Sequence, residues 1–186
     1  MRKVLLSGAV RTPIGDLNGV LSGVGSVQLG NLAATAALER SGIPKERIDE
    51  AIFGNVLQAG QGQNPARQVA IGVGIPTSAP AFTVNKVCGS GLKALELGWQ
   101  SIMLGRAEAV LAGGMENMSQ APYLLPAMRS GARLGDSKAL DIILSDGLTD
   151  VFGKYHMAIT AENVAAKCGI GRAAQDAFAL TSQQKS

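Results

Sequence analysis

The chain has 186 residues, of which 46% are hydrophobic and 17% charged, a balance that fits a globular protein and excludes a disordered one. Its net charge of +3 comes without any block of lysine and arginine residues, which argues against nucleic-acid binding. Two cysteines are too few for a disulfide scaffold, and a single histidine argues against a zinc site.

The first part of the chain alternates between short apolar runs and stretches with helical spacing. Apolar runs at residues 4–10, 51–54, 81–84 and 109–112 predict strands. Helical spacing begins at Ser26, Pro65 and Leu92, and we expect Ser26 to cap the first helix and Gly42 to end it. This order predicts an α/β fold with a mainly parallel, mixed sheet that helices cover on both faces.

After Gly114 the pattern changes. Residues 115–157 contain prolines and scattered glycines without a long period, which predicts an elaborated loop region with a short helix at 138–145. Residues 160–168 and 172–185 have the composition and spacing of two further helices.

The start of the chain combines basic residues with an apolar stretch, as export signals do. Ser7 and Gly8 interrupt that stretch and Arg11 stops it. A first strand is therefore the better interpretation, and we expect a cytoplasmic protein.

Cys88 lies where the predicted strand 81–84 turns into the helix that begins at Leu92, just before Gly89-Ser90-Gly91. The glycines permit a sharp turn, so that the side chain can project into a cleft. The N–H groups and dipole at the start of the helix favour a thiolate, which is the nucleophile, and suit an oxyanion. A small buried hydrophobe is an equally good interpretation of Cys88, whereas Cys168, late in a helical pattern, is read as structural.

Two other interpretations remain open, one of the glycine-rich turn and one of the single histidine. Residues 89–94 fit the dinucleotide-binding pattern G-x-G-x-x-A between a strand and a helix, although Glu116, the candidate acidic partner, comes late and beyond two glycines. His156 is the only histidine that could act as a general base, but a lone histidine after a loop is more often a hydrogen-bonded packing residue.

Several segments together resemble the thiolase family, in the same order and over the whole chain. They are RTPIG at 11–15, GNVLQAGQGQNPARQ at 54–68, VNKVCGSGLKAL at 84–95, AGGMENMSQAPY at 112–123, DGLTD at 146–150, HM at 156–157 and TAEN at 160–163. Within the family, the likeness is greatest to the short-chain biosynthetic type that acts on acetyl-CoA.

The resemblance implies an enzyme of acyl-CoA and fatty-acid metabolism with no resident cofactor. Cys88 would carry an acyl group in the condensation of two acetyl-CoA to acetoacetyl-CoA and CoA, or in the reverse thiolysis. Leu148, His156 and Met157 would line the pocket for coenzyme A and the acyl group. The fold would be the N-terminal half of a layered αβαβα sandwich, and the full-length protein a homotetramer, with no nucleic-acid or membrane partner.

The resemblance also implies that much is missing. Family members are longer, and their second half carries a Gly-His-Pro-type segment and a Cys-x-Gly-Gly-Gly-type segment that complete the catalytic site. We therefore expect an α/β domain with the nucleophile at residues 1–118, an incomplete loop and covering domain at 119–186, and an inactive chain on its own. A non-catalytic interaction protein is the remaining alternative.

Overall fold

A parallel sheet of three strands organises the first part of the computed structural model, which describes residues 3–185. The strands are β1 (Glu50–Gly54), β2 (Ala81–Val84) and β3 (Val110–Gly114), in the spatial order β2-β1-β3. Central β1 pairs in parallel with both neighbours, and Ile52 lies opposite Phe82 and Ala112. The carboxyl ends of all three strands therefore meet at one edge, as the predicted α/β fold requires.

Helices cover both faces of this sheet. They are α1 (Ser26–Ser41), α2 (Pro65–Gly72) and α3 (Ser90–Met103). Ala51 and Phe53 face a buried cluster with Ala34 of α1 and Val69 of α2. Side chains alternate along a strand, so Ile52 and Gly54 face the other side, where α3 packs on β1 and β3. The predicted covering of both faces is confirmed.

The ends of the helices show why the chain turns where it does. Gly42 ends α1 in the left-handed conformation at φ +67°, and Pro65 begins α2, as expected. The prediction that Ser26 caps α1 is wrong. Gly25 is the capping residue, and the Ser26 hydroxyl instead donates a hydrogen bond to the Gln61 side chain.

The predicted strand at residues 4–10 is not a strand in the part of the chain that the structure describes. A strand needs a neighbouring backbone, and neither edge of the described sheet pairs with this segment. The carbonyl of Ala9 instead accepts a hydrogen bond from the Arg40 side chain, at 2.8 Å. Met1 and Arg2, at the start of the segment that resembles an export signal, lie outside the described residues.

The region after β3 contains a second, small sheet. Two antiparallel strands form it, β4 (Tyr123–Leu124) and β5 (Leu140–Asp141). The predicted helix at 138–145 is wrong, because Leu140 pairs with Leu124 in this sheet and a π-helix, Ile143–Leu148, follows. The chain divides into two compact units between Ile143 and Leu144, whereas the division predicted at residue 118 stays a prediction.

The second unit contains two helices, α4 (Met157–Cys168) and α5 (Arg172–Lys185). Both were expected, although α4 begins three residues earlier than its predicted start at Thr160. Gly169 ends α4 in the left-handed conformation at φ +66°. Within residues 3–185, none of the helices has the length and apolar character needed to cross a membrane.

Candidate active site

Cys88 lies in the tight connection, residues 85–89, between the end of β2 and the start of α3. Its side chain is exposed, so the interpretation of a small buried hydrophobe is wrong. The connection leaves the sheet at the edge where parallel strands end, which is where α/β proteins commonly bind ligands. The predicted strand-to-helix corner is present, with the thiol accessible to a substrate.

The backbone of this connection is strained immediately before the cysteine. Val87 has φ +49°, in the left-handed region that a β-branched residue rarely adopts, at a cost of about 1–3 kcal/mol. Its N–H donates to the Asn85 side chain at 2.9 Å and its carbonyl accepts from the Ser90 N–H at 3.1 Å. The Gly89 N–H donates to the Lys86 carbonyl at 3.1 Å. These local bonds hold the turn closed around Cys88.

A glycine at the end of β1 allows α3 to approach the sheet closely. A Cβ atom on Gly54, the last residue of β1, would lie 2.5 Å from the Ser90 carbonyl carbon, too close for any side chain. The end of β3 is less crowded, because a Cβ atom on Gly114 would lie at an ordinary contact distance of 3.4 Å from the Gly91 Cα atom. The first turn of α3 therefore rests on Gly54, and this contact, the Gly54 seat, holds the Cys88 turn close to the sheet.

Glu116 ties two of these strand ends together. One carboxylate oxygen accepts from the Val56 N–H at 2.8 Å, and the other from the Asn55 side chain at 2.9 Å and the Leu57 N–H at 3.2 Å. Burial raises the pKa of the half-buried Glu116 carboxyl above its usual value, against these hydrogen bonds, which lower it. A carboxylate held by three protein donors is not available to a ribose. Glu116 is therefore not the acidic residue that the dinucleotide-binding interpretation requires.

The three residues predicted to line the substrate pocket lie in the second unit. Leu148 ends the π-helix, and the next residue, Thr149, forms an antiparallel bridge with His156. Met157 follows as the first residue of α4 and lines a groove with Thr160 and other residues of α4 and α5. The structure thus brings Leu148, His156 and Met157 into one local region, and it places Cys88 in the first unit.

His156 has a structural role that its sequence context does not reveal. Its Nδ1 atom accepts a hydrogen bond from the Ala158 N–H at 3.0 Å and so caps α4. This bond engages Nδ1 with the backbone at the start of α4. This geometry fits the packing interpretation of the histidine better than that of a general base. Within residues 3–185, no group of three or more acidic, cysteine or histidine side chains could hold a metal ion.

The family model for the N-terminal domain of thiolase matches residues 4–186. A probable acetyl-CoA acetyltransferase of Escherichia coli is 54% identical to the chain, and acetyl-CoA acetyltransferases of Cupriavidus necator and Pseudomonas aeruginosa are 54% and 52% identical. Each match covers 100% of this chain but only 47% of the relative, so the chain spans about half the length of these proteins. With its cysteine turn and these matches, the chain belongs to the thiolase family and corresponds to its N-terminal domain.

Proposed function

We propose that the protein is an acyl-CoA C-acyltransferase that condenses two acetyl-CoA to acetoacetyl-CoA and CoA, or catalyses the reverse thiolysis. The observation that carries this proposal is the exposed Cys88 thiol in the turn before α3, in a chain of the thiolase family. The relatives named acetyl-CoA acetyltransferase support acetyl-CoA as the substrate.

In the first half-reaction, the Cys88 sulfur attacks the thioester carbonyl carbon of acetyl-CoA. The thiol gives up its proton, a new carbon–sulfur bond forms and the bond to coenzyme A breaks, so that coenzyme A leaves as a thiolate and takes up a proton in place of the one lost by Cys88. We assign the N–H of Cys88, next to the N-terminus of α3, as a donor to the oxyanion that forms on the way. The acyl group stays on the protein, so that one difficult condensation becomes two easier steps.

In the second half-reaction, the α-carbon of another acetyl-CoA loses a proton and attacks the acyl-cysteine. The new carbon–carbon bond gives acetoacetyl-CoA and returns the electron pair to the Cys88 sulfur. We assign Leu148, His156 and Met157 to the walls of the pocket that holds coenzyme A and the acyl group. The α4-capping bond of His156 Nδ1 supports this wall role, because it engages one ring nitrogen with the backbone of α4.

We further propose that this chain alone does not turn over. The groups that would activate Cys88 and remove the α-proton are not supplied by His156, and relatives about twice as long provide room for them elsewhere. A cytoplasmic homotetramer is the assembly that we propose for the full-length enzyme.

The test is acetoacetyl-CoA thiolysis by the protein produced from its own gene, with everything that the gene encodes. We expect Cys88→Ser to lower kcat by about 10³-fold or more, because the nucleophile is lost. Cys168→Ser is the matched control and should stay within about twofold of wild type, since it changes an exposed cysteine in the other unit.

Three results would contradict the proposal. Thiolysis that survives Cys88→Ser would show that another group carries the acyl chain. Absence of thiolysis in the wild-type protein, together with saturable NADH binding, would favour the dinucleotide-binding module. Absence of both activities would favour the non-catalytic interaction protein.

A further inference from the structure

Ser90 lies in the segment that resembles a nucleophile elbow, yet its hydroxyl group faces the protein. The residue is only 5% exposed. The hydroxyl donates to the Val87 carbonyl at 2.6 Å and accepts from the Lys86 N–H at 2.8 Å. Its single proton is therefore already used within the turn, so Ser90 is not placed to contact a substrate.

The two partners of Ser90 lie on the chain just before Cys88. The Val87 carbonyl belongs to the peptide group that joins Val87 to Cys88, and the Lys86 N–H belongs to the peptide group before Lys86. The hydroxyl thus binds the peptide group that follows Val87, the residue with φ +49°, and a second peptide group, between Asn85 and Lys86, earlier in the same turn. A strained residue persists only where its surroundings determine it strongly, and Ser90 is one of the groups that do so here.

Packing against the end of β1 also restricts the position of the Ser90 side chain. A Cβ atom placed on Gly54 would come within 2.7 Å of the Ser90 Cβ atom, so the end of β1 leaves no free space there. The contact with Gly54 therefore restricts where the Ser90 Cβ atom lies, and the two hydrogen bonds set the direction of the hydroxyl towards the peptide group that carries Cys88.

We infer that Ser90 is the positioning residue for the Cys88 nucleophile, acting through the strained turn and not on the substrate. This inference rests on the proposed function, because it assigns Ser90 a role in forming the acyl-cysteine. A displacement of the sulfur by about 1 Å is enough to slow a reaction about a hundredfold.

The test compares Ser90→Ala with wild type in the protein produced from its own gene. The rate of Cys88 acetylation by acetyl-CoA is measured by rapid acid quench and intact-mass analysis over a range of acetyl-CoA concentrations. We expect the maximal rate to fall about 10- to 100-fold, with little change in the half-saturating concentration, because the sulfur is misplaced while the pocket is intact.

Alkylation of the cysteines by iodoacetamide is a control measurement, because it requires an accessible thiol but no alignment of the thiol with a thioester. Both Cys88 and Cys168 should be alkylated in Ser90→Ala within about threefold of their wild-type rates, since both thiols are exposed. Wild-type acetylation in folded Ser90→Ala would overturn the positioning role alone. Failure of the wild-type protein to acetylate Cys88 while it is alkylated normally would overturn the proposed function, and the positioning role with it.

If Ser90→Ala does not fold, a second comparison tests the inference. Glycine adopts φ +49° without strain, so Val87→Gly makes the turn easier to fold, but glycine is also more flexible and leaves the peptide group before Cys88 to be fixed by the Ser90 hydroxyl. The double variant with Ser90→Ala is compared with Val87→Gly alone. A slower maximal rate of acetylation in the double variant supports the inference, and equal rates overturn it.

Discussion

Cys88 and Cys168 are both exposed, but they lie at opposite kinds of helix end. Cys88 stands just before the N-terminus of α3, where the first backbone N–H groups of the helix have no partner within it and suit an oxyanion. Cys168 is the last residue of α4, beside the last carbonyl groups of the helix. The two cysteines therefore share their exposure but differ in the backbone groups that surround them.

Glu116 makes the stability of the fold depend on pH in a direction that can be checked. Burial raises its pKa in the folded state, so the folded protein binds the proton more tightly than the unfolded chain. This contribution to stability is present below the usual pKa of 4.5 and is lost as the pH rises through the raised value. We expect the free energy of unfolding of wild type, relative to Glu116→Gln, to decrease over that range.

Denaturant unfolding of both proteins at a series of pH values measures this difference. Asp49→Asn is the control of opposite sign, because hydrogen bonds from the Glu108 and Ala109 N–H groups lower the pKa of Asp49 below 3.8. The Asp49 contribution is present above pH 3.8 and is lost as the pH falls through the lowered value. If wild type instead gained stability over Glu116→Gln as the pH rises, the three donors would outweigh burial and the prediction would be wrong.

At the scale of elements, the cysteine turn depends on how closely α3 rests on β1 and β3. Helix positions Ala94 and Gly98 are buried against the sheet, and a Cβ atom on Gly98 would come within 3.1 Å of Val110. Small residues along this face let the helix approach the sheet closely. The N-terminus of α3 and the turn before it are placed by packing over the whole length of the helix.

Gly54→Ala tests the seat directly. The new methyl group would lie 2.5 Å from a backbone atom of Ser90, so α3 must shift, and we expect a loss of roughly 3 kcal/mol in the free energy of unfolding. Gly23→Ala is the matched control, because a Cβ atom there meets nothing within 4 Å, and its cost should stay below about 1 kcal/mol. Equal stabilities of the two variants in denaturant unfolding would show that the seat is not tightly packed.

The sequence predicts those elements whose cause is local. Helical spacing and the signals at Gly42 and Pro65 locate α1 and α2, and the corner at Cys88 follows from a strand, a glycine-rich turn and a helix. Residues 4–10 are predicted wrongly because a strand exists only with a partner, which periodicity does not supply. The helix predicted at 138–145 is wrong for the related reason that Leu140 pairs with a distant strand.

The candidate site is predictable to a similar degree. Cys88 is recognisable from the residues around it, whereas the bonds of Ser90 and Glu116 depend on side-chain directions in the folded chain. Glu116 is conspicuous in sequence only as a possible ribose partner, and its three bonds to the segment after β1 bridge about 60 positions. Contacts of that range become visible only once the strands are in register.

At the scale of the whole molecule, α3 presents an apolar face that this chain leaves exposed. Leu92 is 76% exposed and Trp99 is 51% exposed, and Leu95 shares their side of the helix. An exposed apolar face supports the expectation that α3 belongs to an inner helical layer of a longer thiolase.

We expect the 186-residue chain alone to self-associate through this face. Leu92→Glu should raise the fraction of monomer in sedimentation velocity, because a charge disrupts the apolar patch and suits the first turn of a helix. Val20→Glu adds the same charge at a residue that is 96% exposed outside α3, and should leave association unchanged. A chain that is monomeric at all concentrations and also catalyses thiolysis would contradict both the exposed face and the expected inactivity.

Acid quenching of the acetyl-enzyme shows whether the Cys88 sulfur carries the acyl group. Protein produced from the complete gene is mixed with acetyl-CoA, quenched, digested and analysed by peptide mass spectrometry. We expect one acetyl group per chain on the peptide that contains Cys88, its removal by added CoA, and none in Cys88→Ser. An acetyl group on any other residue, or one that CoA does not remove, would show that Cys88 is not the nucleophile.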